Sequence, residues 1–209
     1  LHTAYRRQRQ MCIRDRVGAG LPQLRGRMGE AKSYAERLFN FSEIGALSRG
    51  DASSAITLPA KEEGVEIEPA AVDAIITETQ GYPYFLQEWG KCAWEVAEAS
   101  PISAQDVEKA SREAIAALDE SFFRVRFDRL TPSEKKYLRA MAELGTGPHR
   151  SGDIAQKLGK AVASFGPVRA SLIAKGMIWS PTHGDTAFTV PLFDEFMKRI
   201  MPGDAWQTA

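Results

Sequence analysis

Gly81-Tyr82-Pro83-Tyr84-Phe85-Leu86-Gln87 decides how this chain is read. Glycine reaches turn conformations that side chains disfavour, and proline is preset for the first position of a helix. The stretch therefore reads as a tight turn opening directly into a helix. Apolar residues at Phe85, Leu86, Trp89, Ala93, Trp94 and Val96 predict that this helix runs from Pro83 to about Ala97 with one face in a core.

Working outward, the neighbouring segments are helical too. Ser48-Arg49-Gly50-Asp51 is a capping-box pattern, and the helix behind it runs to about Glu63, with Pro59 inside it and Gly64 ending it. Pro69 starts a helix with Val72, Ile75 and Ile76 on one face. Ser103-Ala104-Gln105-Asp106 is a second capping box. It opens a long helix through Val107, Ala110, Ala114, Ile115 and Leu118 toward Phe122. Upstream, Val17 to Pro22 resembles the end of a buried strand running into a loop. Residues 31–39 have helical character, and Phe39-Asn40-Phe41-Ser42-Glu43-Ile44 alternates at period two, predicting a short strand.

Downstream the order changes. Thr131-Pro132-Ser133-Glu134 supplies an N-cap, a first-turn proline and a capping glutamate. Tyr137, Leu138, Met141, Ala142 and Leu144 form the inner face of the helix it starts, which stops at Gly145. Ser151 is expected to cap a short second helix carrying Ile154, Ala155 and Leu158, ending at Gly159. A third helix is expected over about 162–175, with Val168, Leu172 and Ile173 inward. Met177–Ser180 and Thr186–Val190 are strand-like runs joined at His183-Gly184-Asp185, which predicts a hairpin. Pro191 to Met201 closes the chain as an amphipathic helix. Three helices followed by a hairpin is the order of a winged helix-turn-helix.

Composition narrows the function classes. Residues 1–16 carry five arginines and one acidic residue, residues 17–130 carry 12 basic against 19 acidic, and residues 131–209 carry 10 against 7. An acidic middle and a mildly basic end are consistent with two modules that meet different partners. Cys12 and Cys92 make neither a disulfide framework nor a metal-ligand spacing. His2, His149 and His183 are scattered. No run of about 18 apolar residues exists, and residues 1–16 lack the apolar centre of a signal peptide, so a cytoplasmic protein that does not enter a membrane is expected. Residues 5–16, with no helical or strand period, resemble a translated sequencing adapter. Residues 1–16 are set apart as an artefact, the other reading being a basic nucleic-acid arm.

Taken in order, residues 17–200 resemble the C-terminal part of P-loop ATPases of the AAA+ and STAND groups, including origin-recognition-like members. The resemblance implies a mainly α chain, with a remnant of ATPase core strands (17–47), a helical lid and linker helix (48–127), a winged helix-turn-helix (128–201) and a tail (202–209). No Gly-x-x-x-x-Gly-Lys-[Ser/Thr] loop is present. The chain is therefore expected to be inactive alone and to belong to a longer parent that binds ATP and Mg²⁺. In the family, a Gly-x-Pro turn lays its proline on the adenine face. That role would fall on Gly81, Tyr82 and Pro83, the plain alternative being a helix start. Where related lids place an arginine, this chain has Tyr84. Arg37 lies where an arginine finger would sit, its alternative being a solvated residue at a helix end. Gly18-Ala19-Gly20 offers no polar γ-phosphate sensor.

In the winged unit, Arg150, Lys160, Ser164, Arg169, Lys175 and His183 are the candidate DNA contacts, with Arg169 placed for a base edge and Lys160 and Lys175 for phosphates. A winged helix that docks a protein, or a second copy of the chain, is the alternative, as is a regulator independent of nucleotide. No catalytic triad or paired carboxylates suggest a separate enzyme.

Overall fold

The computed structural model describes residues 44–208 continuously, together with residues 18, 20, 24, 28, 29, 34 and 39–42. The chain divides into two units, Leu1–Glu43 and Ile44–Ala209. Residues 1–16, Arg37 and most of the expected core strands lie outside the described residues. The strand expected at Phe39–Ile44 is not formed at its described positions, which are bends and irregular backbone. Alternation alone does not fix a strand, because packing and pairing set by distant residues also decide it.

In the second unit, local chemistry sets the helix starts. Helix α1 (Arg49–Glu62) begins where Ser48 Oγ accepts the Asp51 N–H at 3.2 Å. Helix α2 (Pro69–Thr79) and helix α3 (Pro83–Val96) each start on a proline, which lacks the N–H that a first turn would leave unpaired. Helix α4 (Ala104–Ala117) starts at the reciprocal Ser103–Asp106 capping box. Helix α3 lies along α4, and α2 packs against both. Trp89, wholly buried in this layer, donates its indole N–H to Ser111 Oγ at 2.9 Å. The helical register of α3 corrects one expectation: Trp94 is 44% exposed, and Cys92 is buried instead.

Helix α4 passes through a π turn at Leu118–Phe123 into the short helix α5 (Arg124–Phe127). Leu118 and Phe123 are five residues apart and would point to different sides of a regular α-helix. The wider turn keeps both in the core.

Helix α6 (Pro132–Ala142) carries the Thr131–Glu134 capping box. Strand β1 (His149–Arg150), helix α7 (Ser151–Lys157), a 3₁₀ turn at Val162–Phe165 running into helix α8 (Gly166–Ala174), strands β2 (Ile178–Trp179) and β3 (Asp185–Phe188), and helix α9 (Phe193–Ile200) follow. A final short helix α10 spans Ala205–Thr208. The sheet is antiparallel in the order β1-β3-β2, with His149 opposite Thr186 and Ile178 opposite Phe188. The chain is mainly α, as expected, but its small sheet has three strands where a two-stranded hairpin was expected. β1 is a strand that the sequence did not reveal. Ser151 does not cap α7; it is the first helical residue, and its hydroxyl donates to Gly184 O at 3.0 Å, holding the helix to the hairpin turn.

Both halves of this unit share one apolar cluster. Phe123 of the π turn meets Phe85 of α3 at 5.7 Å between ring centres, and Phe196 of α9 at 5.2 Å. Arg199 of α9 reaches back to Asp119 with two N–H···O bonds at 2.7 and 2.8 Å. The closing helix thereby seats the wing end of the chain beside the start of α3.

Candidate functional site

The Gly81-Tyr82-Pro83 turn is over-determined. Gly81 has φ +69°, and a Cβ there would lie 2.9 Å from Leu47 O. The Leu47 N–H donates to Gly81 O at 2.9 Å, fixing residues 46–47 against the turn from outside. Tyr82 is the N-cap of α3, its N–H given to Thr79 O at 3.0 Å and its ring 4.7 Å from Phe85. Fixed on both sides, the turn leaves Pro83 exposed at the first position of α3.

The exposed proline borders a cavity of about 570 Å³, within the ordinary range for small-molecule sites. One wall is Gln80, Tyr82, Pro83 and Tyr84, with residues 44–46 beside it. The other is residues 188–192 with Asp194, where β3 gives way to α9. Two features set this wall apart. Asp194 is 2% exposed, and its Oδ2 has no hydrogen-bond partner among the described residues; the buried Thr189 Oγ1 has none either. Burial pushes the Asp194 carboxyl above the ordinary aspartate range, partly offset by backbone N–H groups at the start of α9. Among the described residues, Gln80 (φ 52°) and Leu192 (φ 61°) are the non-glycine residues with left-handed backbone, and they stand on the two walls of this cavity. Such conformations cost of order 1–3 kcal/mol and gather at binding sites.

Beside the cavity mouth, Tyr84 stacks on Phe122 at 5.1 Å, and Phe122 also carries the Arg126 guanidinium 3.7 Å from its ring centre. No group of three or more potential metal ligands occurs among the described residues. No helix among them is long and apolar enough to cross a membrane.

The winged-unit candidates separate into two sets. Arg150 and Lys160 flank α7, and His183 tips the hairpin; all three are exposed, with no ion pair or hydrogen bond from their side chains to a described residue. Ser164 is exposed but donates to Ala161 O at 2.6 Å. Arg169 turns toward the wing: Nε donates to Thr186 Oγ1 at 3.0 Å, and Nη2 to Ser180 Oγ and Asp185 O at 2.9 and 3.0 Å. Lys175 donates to Glu134 Oε2 at 2.7 Å and Arg129 O at 3.0 Å. The outward residues of α8 are small and apolar: Pro167, Ala170 and Ala174. The sequence could not show this, because the polar residues of α8 are polar for internal reasons.

Glu134 is the centre of that internal network. It is buried in α6, receives the Thr131 N–H and the Lys175 ammonium on Oε2 and the Ser171 hydroxyl on Oε1, all at 2.7 Å. Burial alone would raise its carboxyl. The bonds from Lys175, Thr131 and Ser171 outweigh burial and hold it down at about 2.

Asp194, Thr189, Gln80 and Leu192 line this cavity, and sequence reasoning did not single them out. An acidic residue in the first turn of α9 looks like ordinary helix-end chemistry. Neither its burial nor the strained backbone beside it leaves a pattern in sequence.

A family described as a domain of unknown function (DUF8462) matches residues 120–197, from the π turn to α9. No curated protein sequence matches the chain. Among solved structures, the chain is similar to a point mutant of Thermotoga maritima RuvB (20% identity, TM-score 0.35) over 69% of this chain and 47% of that one. It is also similar to the Thermotoga maritima RuvB Holliday junction branch migration motor (17% identity, TM-score 0.35) over 79% and 61%. The chain thus spans less than two thirds of either structure.

Proposed function

We propose that this chain is the C-terminal part of an ATP-binding ATPase of the AAA+/STAND type, in which the Gly81-Tyr82-Pro83 turn packs on the nucleotide base and the winged unit contacts DNA. The observation that carries the reading is the turn itself. Gly81 is locked by φ and by the Leu47 approach, and Pro83 stands exposed beside a ligand-sized cavity. A rigid apolar ring held in that way suits the face of a base.

The turn fits the base of ATP. No group of potential metal ligands occurs among the described residues, so Mg²⁺ would be held elsewhere in the parent, where with the phosphates it would supply the phosphoryl chemistry. Arg37 keeps its proposed place as a finger toward a neighbouring subunit's nucleotide, which would make the parent an oligomer.

For DNA, the exposed Arg150, Lys160 and His183 are the proposed phosphate contacts, with Ser164 nearby. Arg169 and Lys175 shape the unit from inside. Contact through phosphates without base edges is sequence-independent and sensitive to salt. A second reading, protein docking, is favoured by the apolar outward face of α8 at Pro167, Ala170 and Ala174.

Two experiments test the proposal. In the ATPase carrying this chain, Pro83→Ala weakens ATP binding by about 1 kcal/mol in calorimetry; unchanged affinity reduces the turn to a helix start. In fluorescence anisotropy, the 209-residue chain binds mixed duplexes at low salt, and Lys160→Ala weakens all of them alike. Absence of binding at low salt favours the docking reading.

A further inference from the structure

In the π turn, Phe123 enters the core while its neighbour Phe122 stays half-buried. Tyr84, 47% exposed, stacks on Phe122 at 5.1 Å with the ring planes 23° apart. One helical turn beyond Phe122, Arg126 lays its guanidinium 3.7 Å from the centre of the same ring, and its Nη1 donates to Phe122 O at 2.8 Å. One phenylalanine thus holds an exposed phenol ring and a guanidinium as neighbours.

The positive charge here is not neutralised within the fold. Arg139, Arg169 and Arg199 each place their donors on acceptors of the chain. Arg124, Arg126 and Arg129 differ: none forms an ion pair with a carboxylate among the described residues. Asp119, the acid at the head of the π turn, is already held by two bonds from Arg199. Burial pulls the Arg126 guanidinium below the ordinary arginine range, the Tyr82 and Tyr84 phenols oppose that shift, and the Arg129 charge adds to it. Phenols are uncharged at neutral pH, so the charge that acts on Arg126 there is a second cation. A partly desolvated cation beside another cation is stabilised by an anion. The bond to Phe122 O takes one guanidinium nitrogen and leaves further N–H donors for that anion.

The aromatic half of the surface narrows the ligand. A free phosphate or an acidic peptide would meet the arginines and leave the exposed Tyr84 ring unused. A duplex would offer phosphates but keep its base faces stacked inside. An unpaired strand offers a base face and a phosphate at every nucleotide, which are the two groups that this surface complements. We infer that the Tyr84–Phe122–Arg126 stack is a platform for single-stranded nucleic acid, with a base on the exposed ring of Tyr84 and the backbone on Arg126 and Arg129. The platform stands apart from the duplex contacts proposed at Arg150, Lys160 and His183. It reads no base edge, so it tolerates any sequence.

The test is fluorescence anisotropy of the 209-residue chain with short labelled oligo(dT), oligo(rU) and a mixed duplex. Single strands should bind at low salt, and the oligo(dT) and oligo(rU) arms tell which sugar the platform takes. Tyr84→Ala should weaken single strands about tenfold, whereas Tyr84→Phe, which keeps the ring, should stay within about twofold of wild type. Tyr84 is half-exposed, so its loss should leave far-ultraviolet circular dichroism unchanged. Arg126→Gln and Arg129→Gln should each flatten the slope of log K against log salt by about 0.7, the share of one phosphate contact on a single strand. Duplex affinity should be indifferent to Tyr84→Ala.

No single-strand binding at low salt, or equal binding by wild type and Tyr84→Ala, would overturn the inference. So would duplex binding that falls with Tyr84→Ala as far as single-strand binding does. Polyglutamate or thymidine monophosphate that displaced the labelled strand as well as unlabelled oligo(dT) at equal charge would also overturn it, because the surface would then take anions or lone nucleotides in place of a strand.

Discussion

Replacing Glu134 by glutamine removes one charge from the point where α6, α8 and the 129–131 loop are tied together. The cost can be worked from the structure. The Glu134 carboxyl ionises at about 2 in the folded chain, against an ordinary value of 4.5. At 1.36 kcal/mol per pH unit, that gap corresponds to roughly 3 kcal/mol favouring the ionised side chain in the folded state. The side chain is 3% exposed, so solvent screening takes little away. The sign follows from a depressed folded value. The stabilisation is fully present above about pH 4.5 and is lost as pH falls toward 2. Glutamine keeps the shape, but it cannot hold the Lys175 ammonium as a counter-ion, and it must turn an N–H₂ toward one of three donors. Glu134→Gln should therefore cost about 2–3 kcal/mol at pH 7, or roughly 4–12 °C in melting temperature for a unit of this size. Urea unfolding of both proteins at pH 7, 4 and 2.5 reads the difference directly. The gap between them should shrink progressively, to about a quarter of its pH 7 size at the lowest pH. A gap under about 0.5 kcal/mol at pH 7, which is what an exposed ion pair would give, or one of equal size at every pH, refutes the reasoning.

Other substitutions probe other parts of the account. Gly81→Ala places a Cβ 2.9 Å from Leu47 O at positive φ. It should cost about 2–3 kcal/mol in thermal unfolding, whereas Gly64→Ala, also at positive φ but with open space around it, should cost only about 1. Ser111→Ala strands the buried Trp89 indole N–H and should cost about 1 kcal/mol in urea unfolding followed by tryptophan fluorescence. Arg169→Ala cuts three bonds between α8 and the hairpin. It should speed amide exchange in β3 by about tenfold; unchanged exchange would place the guanidinium outside the fold's support.

Helix starts were the legible part of this fold. Ser48, Ser103 and Thr131 each supply an oxygen to N–H groups that every helix leaves free, and Pro69, Pro83 and Pro132 each fill a first turn. Those rules act within a few residues, so the sequence displays them. The hairpin was legible through Gly184, whose φ of +86° suits the turn. What stayed hidden depends on residues far apart. β1 is two residues long and exists because β3 lies beside it. Phe39–Ile44 alternates as a strand does, but its described residues are bends and irregular backbone. The direction of Arg169 is set by acceptors 11 to 17 residues away, so its polarity resembled that of a surface residue. The candidate site divides in the same way. Gly81 and Pro83 are visible because turn chemistry is local. Asp194 and Thr189 are invisible because the burial of their polar atoms is set by distant parts of the chain.

Photolabelling of the 209-residue chain with 8-azidoadenosine, followed by peptide mapping, tests the proposed base contact most directly. Incorporation should concentrate in the peptides containing residues 80–84 and 188–194, should be competed away by adenosine, and should fall in Pro83→Ala. Label spread over the surface without competition, or confined to α8 and the hairpin, would contradict the reading of the Gly81-Tyr82-Pro83 turn as a nucleotide contact.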